Sequence, residues 1–213
     1  MINRKRFLAV SALWALCVAT AFGQAPSTNS PATKDPEALR DVVILLIRHA
    51  EKPETGIELT PAGVARANAY TNYFKHFMLD GKPLRLEHIF AATDSNNSHR
   101  PRLTAEPLSQ SLGLPLDSRF TDKRPEALVD ELQSRPHGKQ ILVCWRHGGV
   151  PALMSALGAD PSKLLPGGRW PDDVYNWVIQ FRFDQNGHLI PGETKCLNED
   201  LMPGDADHKP VAS

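Results

Sequence analysis

The chain has 213 residues, 24 Lys and Arg against 24 Asp and Glu, and a formal net charge of zero. That length suits one sizeable domain rather than two, and the neutral balance argues against a nucleic-acid or polybasic membrane partner. Positive charge in such a chain is local, and local clusters of Arg and His point to small anions.

Taken in chain order, Arg4-Lys5-Arg6 is a basic start, Phe7 to Ala21 an apolar stretch, and Ala21-Phe22-Gly23 the small residues a signal peptidase reads. Residues 1–23 therefore read as a signal peptide, too short to span a bilayer comfortably. A retained N-terminal anchor is the alternative. Leu16 precedes Cys17 where a lipoprotein signal needs a small residue, so no lipid anchor is expected. Cleavage after Gly23 removes three basic and no acidic residues, leaving a mildly acidic protein, periplasmic or secreted, without stable membrane association. Cys144 and Cys196 then remain. An oxidising compartment permits their pairing, but Cys144 falls in an apolar strand, and two free thiols are the preferred expectation. Two cysteines without a close pair make a structural zinc site improbable.

Residues 24–40, rich in Pro, Ser and Thr, read as a flexible linker, residues 41–196 as the domain, and residues 197–213 as a disordered tail. Val42 to Ile47 is a β-branched run suited to a central strand buried on both faces. Thr60-Pro61 caps a helix running on through Tyr73 and Phe77, with Gly81 just past its end. Leu86 to Ala92 is the next strand, Arg100 to Leu112 the next helix, stopped by Gly113. A third helix covers Arg124 to Ser134, a third strand Lys139 to Trp145, and Gly149 to Gly158 opens a short helix. Val174 to Phe183 and His188 to Thr194 read as a terminal hairpin turning at Asn186-Gly187. Strands alternating with helices predict an α/β fold, a three-layer α/β/α sandwich with a mostly parallel central sheet.

Two apolar strands end alike, in Ile47-Arg48-His49 and in Trp145-Arg146-His147-Gly148. Ligands of open α/β sheets collect at the carboxyl ends of strands, where loops lead into helix N-termini. Between them, Arg100 stands at a helix start just beyond a strand, where free N–H groups and the helix dipole favour an anion and a guanidinium fork can hold two of its oxygens.

These residues resemble the histidine phosphatase superfamily, in its phosphoglycerate mutase-like branch. The likeness rests on Leu46-Ile47-Arg48-His49-Ala50-Glu51, then Leu59-Thr60-Pro61-Ala62-Gly63, then Arg100 with Thr104-Ala105, and last His147-Gly148. The resemblance implies a phosphoglycerate mutase-like fold. It also implies that His49 attacks phosphorus and is transiently phosphorylated, while Arg48, Arg100 and His147 complete the phosphate pocket. Attack needs a neutral imidazole with one nitrogen free and the other held, and fixed cationic donors stabilise the charge on the phosphoryl oxygens. No compact carboxylate set is present to hold magnesium, so no metal or cofactor is expected.

A family member often draws its proton donor from the segment after the second arginine. Glu126 is the first choice, with Asp122, Asp130, Glu131 and Asp94 as alternatives. Arg146 departs from the family pattern, which has a small residue there; it either widens the positive field or forms a surface salt bridge. His99 reads as a loop residue, and His76, His88, His137 and His188 as structural or surface residues. Trp145, Trp170 and Trp177 are expected in the core, with Trp170-Pro171-Asp172-Asp173 placed near the pocket mouth. Glu51 reads as a residue that orients a neighbour. The expected function is an exported phosphatase acting on a small phosphorylated substrate through phosphohistidine at His49. The alternatives are a non-catalytic phospholigand-binding protein, or a phosphohistidine or protein phosphatase, on the same fold.

Overall fold

Six consecutive large side chains can be buried on both faces only at the centre of a sheet. In the computed structural model, which describes residues 34–210 apart from residue 36, β1 (Val43–Arg48) is buried along its whole length. The predicted signal peptide and most of the predicted linker lie outside the described residues. After β1, α1 (Pro61–Tyr73) starts at Thr60, whose Oγ1 accepts the Gly63 N–H at 3.0 Å. The chain continues through β2 (Met78–Leu79), β3 (Lys82–Pro83), β4 (His88–Ala91), α2 (Arg100–Leu112), β5 (Leu116–Asp117) and α3 (Pro125–Ser134). It closes with β6 (Gln140–Trp145), α4 (Val150–Ala156), β7 (Trp177–Arg182) and β8 (Lys195–Asn198).

The main sheet runs β5-β4-β6-β1-β7-β8, parallel from β5 to β1, with β7 antiparallel to both of its neighbours. Alternation along β1 divides the core. Val43, Leu45 and Ile47 pack with Tyr70, Ala105 and Leu108 of α1 and α2, whereas Ile44 and Leu46 pack with Leu128, Leu153 and Met154 of α3 and α4. This is the expected three-layer α/β/α sandwich. Cys144 lies in the first of these layers, Cys196 packs against the second, and both are free thiols. Among the described residues no helix is long and apolar enough to cross a membrane.

Four expectations are corrected. The first helix stops at Tyr73 and gives way to one tight turn, Phe74–His76. Gly81 does not end it; Asp80 and Gly81, with φ of 49° and 74°, turn the small β2–β3 hairpin, as Asp-Gly pairs do. The terminal hairpin is displaced, because Pro191–Glu193 makes a short helical turn and pairing with β7 resumes only at Lys195. Finally, the domain overruns both of its predicted ends. Ala38 and Leu39 are buried, while Glu199 and Asp205 are buried within the predicted disordered tail. Asn176 Nδ2 donates to Asp205 O at 2.8 Å and Trp177 Nε1 to His208 O at 2.6 Å, tying that tail to the start of β7.

Candidate active site

The parallel register sets Arg48 beside Trp145, and the His49 N–H donates to Trp145 O at 2.9 Å. Both basic dipeptides therefore leave the sheet at one edge. His49 and His147 meet there, His49 Nε2 lying 3.3 Å from His147 Nδ1 with the rings at 75°.

His49 is 1% exposed, and its Nδ1 donates to Ala50 O at 2.7 Å. That bond fixes the tautomer and leaves the lone pair on Nε2. Burial, then the Arg48 charge, hold the ring well below its ordinary value, so it is neutral near pH 7. Fully buried Arg48 donates from Nη1 to Pro171 O at 2.9 Å, Asp172 O at 3.0 Å and Val174 O at 2.8 Å. Its Nε and Nη2, which form one edge of the guanidinium, are buried without a protein partner. Tyr175 covers the group, its ring centroid 3.9 Å from Cζ. Burial without a carboxylate partner pushes this arginine down to about 10.

Arg100 opens α2 beside the pocket, and its charge is among those that depress His49. Its guanidinium donates to the carbonyls of Glu58, at 3.1 Å, and Gly56. Thr104 joins this helix to the loop after β1, accepting the Ala50 N–H at 2.9 Å and donating to Arg100 O at 2.8 Å. The structure thus brings Arg48, His49 and His147 to one sheet edge, with Arg100 near enough for its charge to act on His49.

Glu126 does not join them. It occupies the first turn of α3 with a 62% exposed side chain, and Arg124 Nε lies 3.8 Å away. Among the described residues, neither Asp94 nor Asp122 pairs with a histidine of the site: Asp94 pairs with Arg102 at 2.8 Å and Asp122 with Arg146 at 3.4 Å. Arg146 also donates to Ser95 Oγ at 2.6 Å, and its charge acts on Arg100. Its salt bridge is largely buried, both side chains being 16% exposed, rather than on the surface.

The carboxylate that reaches the site is Asp172, whose Oδ1 lies 2.8 Å from His147 Nε2. Asp172, Trp170 and Pro171 border an open cleft of 730 Å³ together with His147 and Arg169. Tyr175, with its ring centroid 6.5 Å from that of His49, had no separate signal beyond its place after that flagged segment.

Behind the loop after β1, Glu51 turns away to Arg66 of α1, accepting from Nε at 2.9 Å. Arg66 also holds both oxygens of Asp205, at 2.7 and 3.0 Å, and Glu199 Oε2 at 3.4 Å. Gly63 permits this approach, since a Cβ there would stand 2.5 Å from Glu51 O. Among the described residues no group of three His, Cys, Asp or Glu side chains is placed to hold a metal ion.

No family model and no curated protein matches this chain. Solved structures do. Phosphoglycerate mutase from Bacillus anthracis is 13% identical and aligns over 73% of this chain and 93% of its own, with a TM-score of 0.52. An Escherichia coli protein assigned as an alpha-ribazole-5'-P phosphatase is 14% identical and aligns over 75% of this chain and 97% of its own, with a TM-score of 0.51. The chain has the histidine phosphatase fold. Within that fold it takes the phosphoglycerate mutase-like form, a mostly parallel six-stranded sheet flanked by helices.

Proposed function

We propose that the protein is a phosphomonoesterase that works through a phosphohistidine on His49. The observation that carries this reading is the pairing of a neutral, tautomer-fixed imidazole with the unpartnered guanidinium edge of Arg48. Nε2 supplies the lone pair that attacks phosphorus. Arg48 and Arg100 are the fixed positive charges for the equatorial oxygens of the phosphoryl group, and His147 is a further polar group beside Nε2. Attack forms the N–P bond as the P–O ester bond breaks, the departing alkoxide taking a proton from solvent to leave as the alcohol; water then attacks phosphorus, the N–P electron pair returns to Nε2, and phosphate is freed. A metal-independent reaction is part of the proposal, as is a small phosphorylated substrate. The two solved neighbours, named as a phosphatase and a mutase, agree with phosphate-ester chemistry.

His49→Ala should abolish phosphate release from an aryl phosphate and eliminate an acid-labile phosphoprotein that wild type accumulates on rapid quenching. Unchanged turnover would sink the assignment. A second reading, a non-catalytic phospholigand binder, is favoured by the position of Glu126, away from the histidine pair. Tight phosphate binding with no turnover over a broad panel of phosphate esters would select it.

Export belongs to the same proposal and rests on the basic, apolar and small-residue pattern of residues 1–23. N-terminal sequencing of protein recovered outside the cytoplasm should begin at Gln24; recovery of an intact Met1 start would remove this part.

A further inference from the structure

Three contacts run in series from the nucleophile loop to the loop before β7. His49 Nδ1 faces Ala50 O at 2.7 Å, His49 Nε2 faces His147 Nδ1 at 3.3 Å, and His147 Nε2 faces Asp172 Oδ1 at 2.8 Å. A carbonyl and a carboxylate oxygen only accept, so each outer contact needs an N–H from an imidazole. Two neutral imidazoles bring one proton each. Both protons are used at the ends of the series, and the facing ring nitrogens are left with lone pairs across the longest of the three contacts. A lone pair repels an oxyanion. With its proton held on Nε2, His147 can donate to a phosphoryl oxygen only after Nδ1 gains a proton of its own.

We propose that Asp172 is the positioning residue of His147, fixing the ring proton on Nε2 and so making oxyanion binding at the histidine pair depend on uptake of one further proton at Nδ1. This rests on the anion-pocket reading given above. The Asp172 side chain is 82% exposed, yet the backbone that carries it is anchored. Arg48 Nη1 holds the carbonyls of residues 171, 172 and 174, and the buried Trp170 donates from Nε1 to Val174 O at 2.8 Å. The groups facing His147 are His49 and Arg48 at the end of β1, Lys52 in the loop that follows, and Asp172. Burial, then the Arg48 and Lys52 charges, push His147 down to about 4 against the opposing pull of Asp172. The ring is therefore neutral near pH 7 until an anion favours its charged form. The Nε and Nη2 edge of Arg48 is left without a protein partner, so the side chain that sets the loop also keeps donors for an anion.

Asp172→Asn separates this role from a purely structural one. An amide can donate to Nε2, which moves the ring proton to Nδ1, where it already faces the oxyanion. Histidine side-chain ¹⁵N spectra of the full chain should show His147 as the Nε2–H tautomer in wild type and as Nδ1–H in Asp172→Asn, with His147→Gln assigning the signal. An Nδ1–H tautomer in wild type, or one tautomer in both proteins, overturns the proposal. Sulfate, whose charge does not change between about pH 6 and 9, is the binding probe. One linked proton weakens wild-type affinity by up to about tenfold per pH unit on the alkaline side. That slope should flatten in Asp172→Asn and return in Asp172→Glu; equal slopes in wild type and Asp172→Asn overturn the proposal. Absence of sulfate binding to any of these proteins would count against the anion pocket itself, and the tautomer spectrum would still decide the part played by Asp172.

Discussion

Arg66 and Arg48 are 2% and 0% exposed, and their surroundings are opposite. Arg66 meets Glu51, Glu199 and Asp205, and those hydrogen bonds raise its pKa above the ordinary arginine value in spite of burial. Arg48 meets three backbone carbonyls and the face of Tyr175, and burial depresses it. A buried charge surrounded by its counterions acts as a clamp, because removing it strands the partners. A buried charge left with polar but uncharged neighbours retains its attraction for an anion from outside. The two arginines thus distinguish the structural half of the molecule from the chemical half, on either side of the Arg48–Glu51 loop.

Substituting each arginine by methionine tests that division. Arg66→Met leaves Glu51 and Asp205 without their cation and Glu199 Oε2 without that donor, and should cost about 3–5 kcal/mol of unfolding free energy in urea. Arg48→Met should act first on the reaction, lowering kcat/KM by about 10²–10³-fold, the scale for losing a preorganised donor to a transition-state oxyanion. Its stability cost should be smaller, about 1–3 kcal/mol for carbonyls left unpaired. If Arg48→Met unfolds the protein while Arg66→Met mainly slows it, the comparison is wrong.

The clamp also has a pH signature. Glu199 accepts the Tyr70 hydroxyl at 3.0 Å and lies fully buried beside Asp205, and burial raises it to about 8 from an ordinary value of 4.5. In the folded protein it keeps a proton that the unfolded chain gives up. Its contribution is therefore complete below about pH 4.5 and is lost as pH rises through about 8. Asp205, held low by Arg66, contributes in the other direction and loses its share on acidification. Glu199→Gln should flatten the fall in melting temperature between about pH 5 and 8 without removing the acid-side loss. An unchanged alkaline slope would show that Glu199 does not carry it.

The chemical half was more legible in the sequence than the clamp, for a physical reason. Arg48, His49 and His147 sit directly after apolar strands, so a local pattern places them at one sheet edge. Arg100–Leu112 was bounded by its own proline and glycine. The clamp has no such pattern, because Arg66 meets Glu199 and Asp205 across 133 and 139 residues of sequence. Read alone, a segment such as Asn198 to Asp207 looks polar and unstructured; only the Arg66 guanidinium makes its carboxylates buried groups. Tyr175, and the pairing of Asp172 with His147 beyond its expected place near the pocket mouth, were obscured in the same way. Their loop takes its shape from hydrogen bonds to Arg48, 123 to 126 residues earlier in the chain, and neither spacing nor composition encodes that link.

Glu126 supplies the smallest expected effect and the sharpest check on reading chemistry from chain position. It follows the second arginine in sequence, the segment from which the resemblance would draw a proton donor. The structure puts it on the first turn of α3, exposed, with Arg124 at 3.8 Å. An exposed pair at that distance contributes little, and a carboxylate in the first turn adds only tenths of a kcal/mol through the helix dipole. Glu126→Gln should therefore change stability by less than about 0.5 kcal/mol. It should also leave kcat/KM within about twofold of wild type, equivalent to less than about 0.5 kcal/mol of barrier. A loss of tenfold or more, with the pH profile shifted on its alkaline limb, would bring Glu126 back as the proton donor. That result would require α3 to move against the sheet edge during turnover, so that the boundary between clamp and pocket would not be fixed.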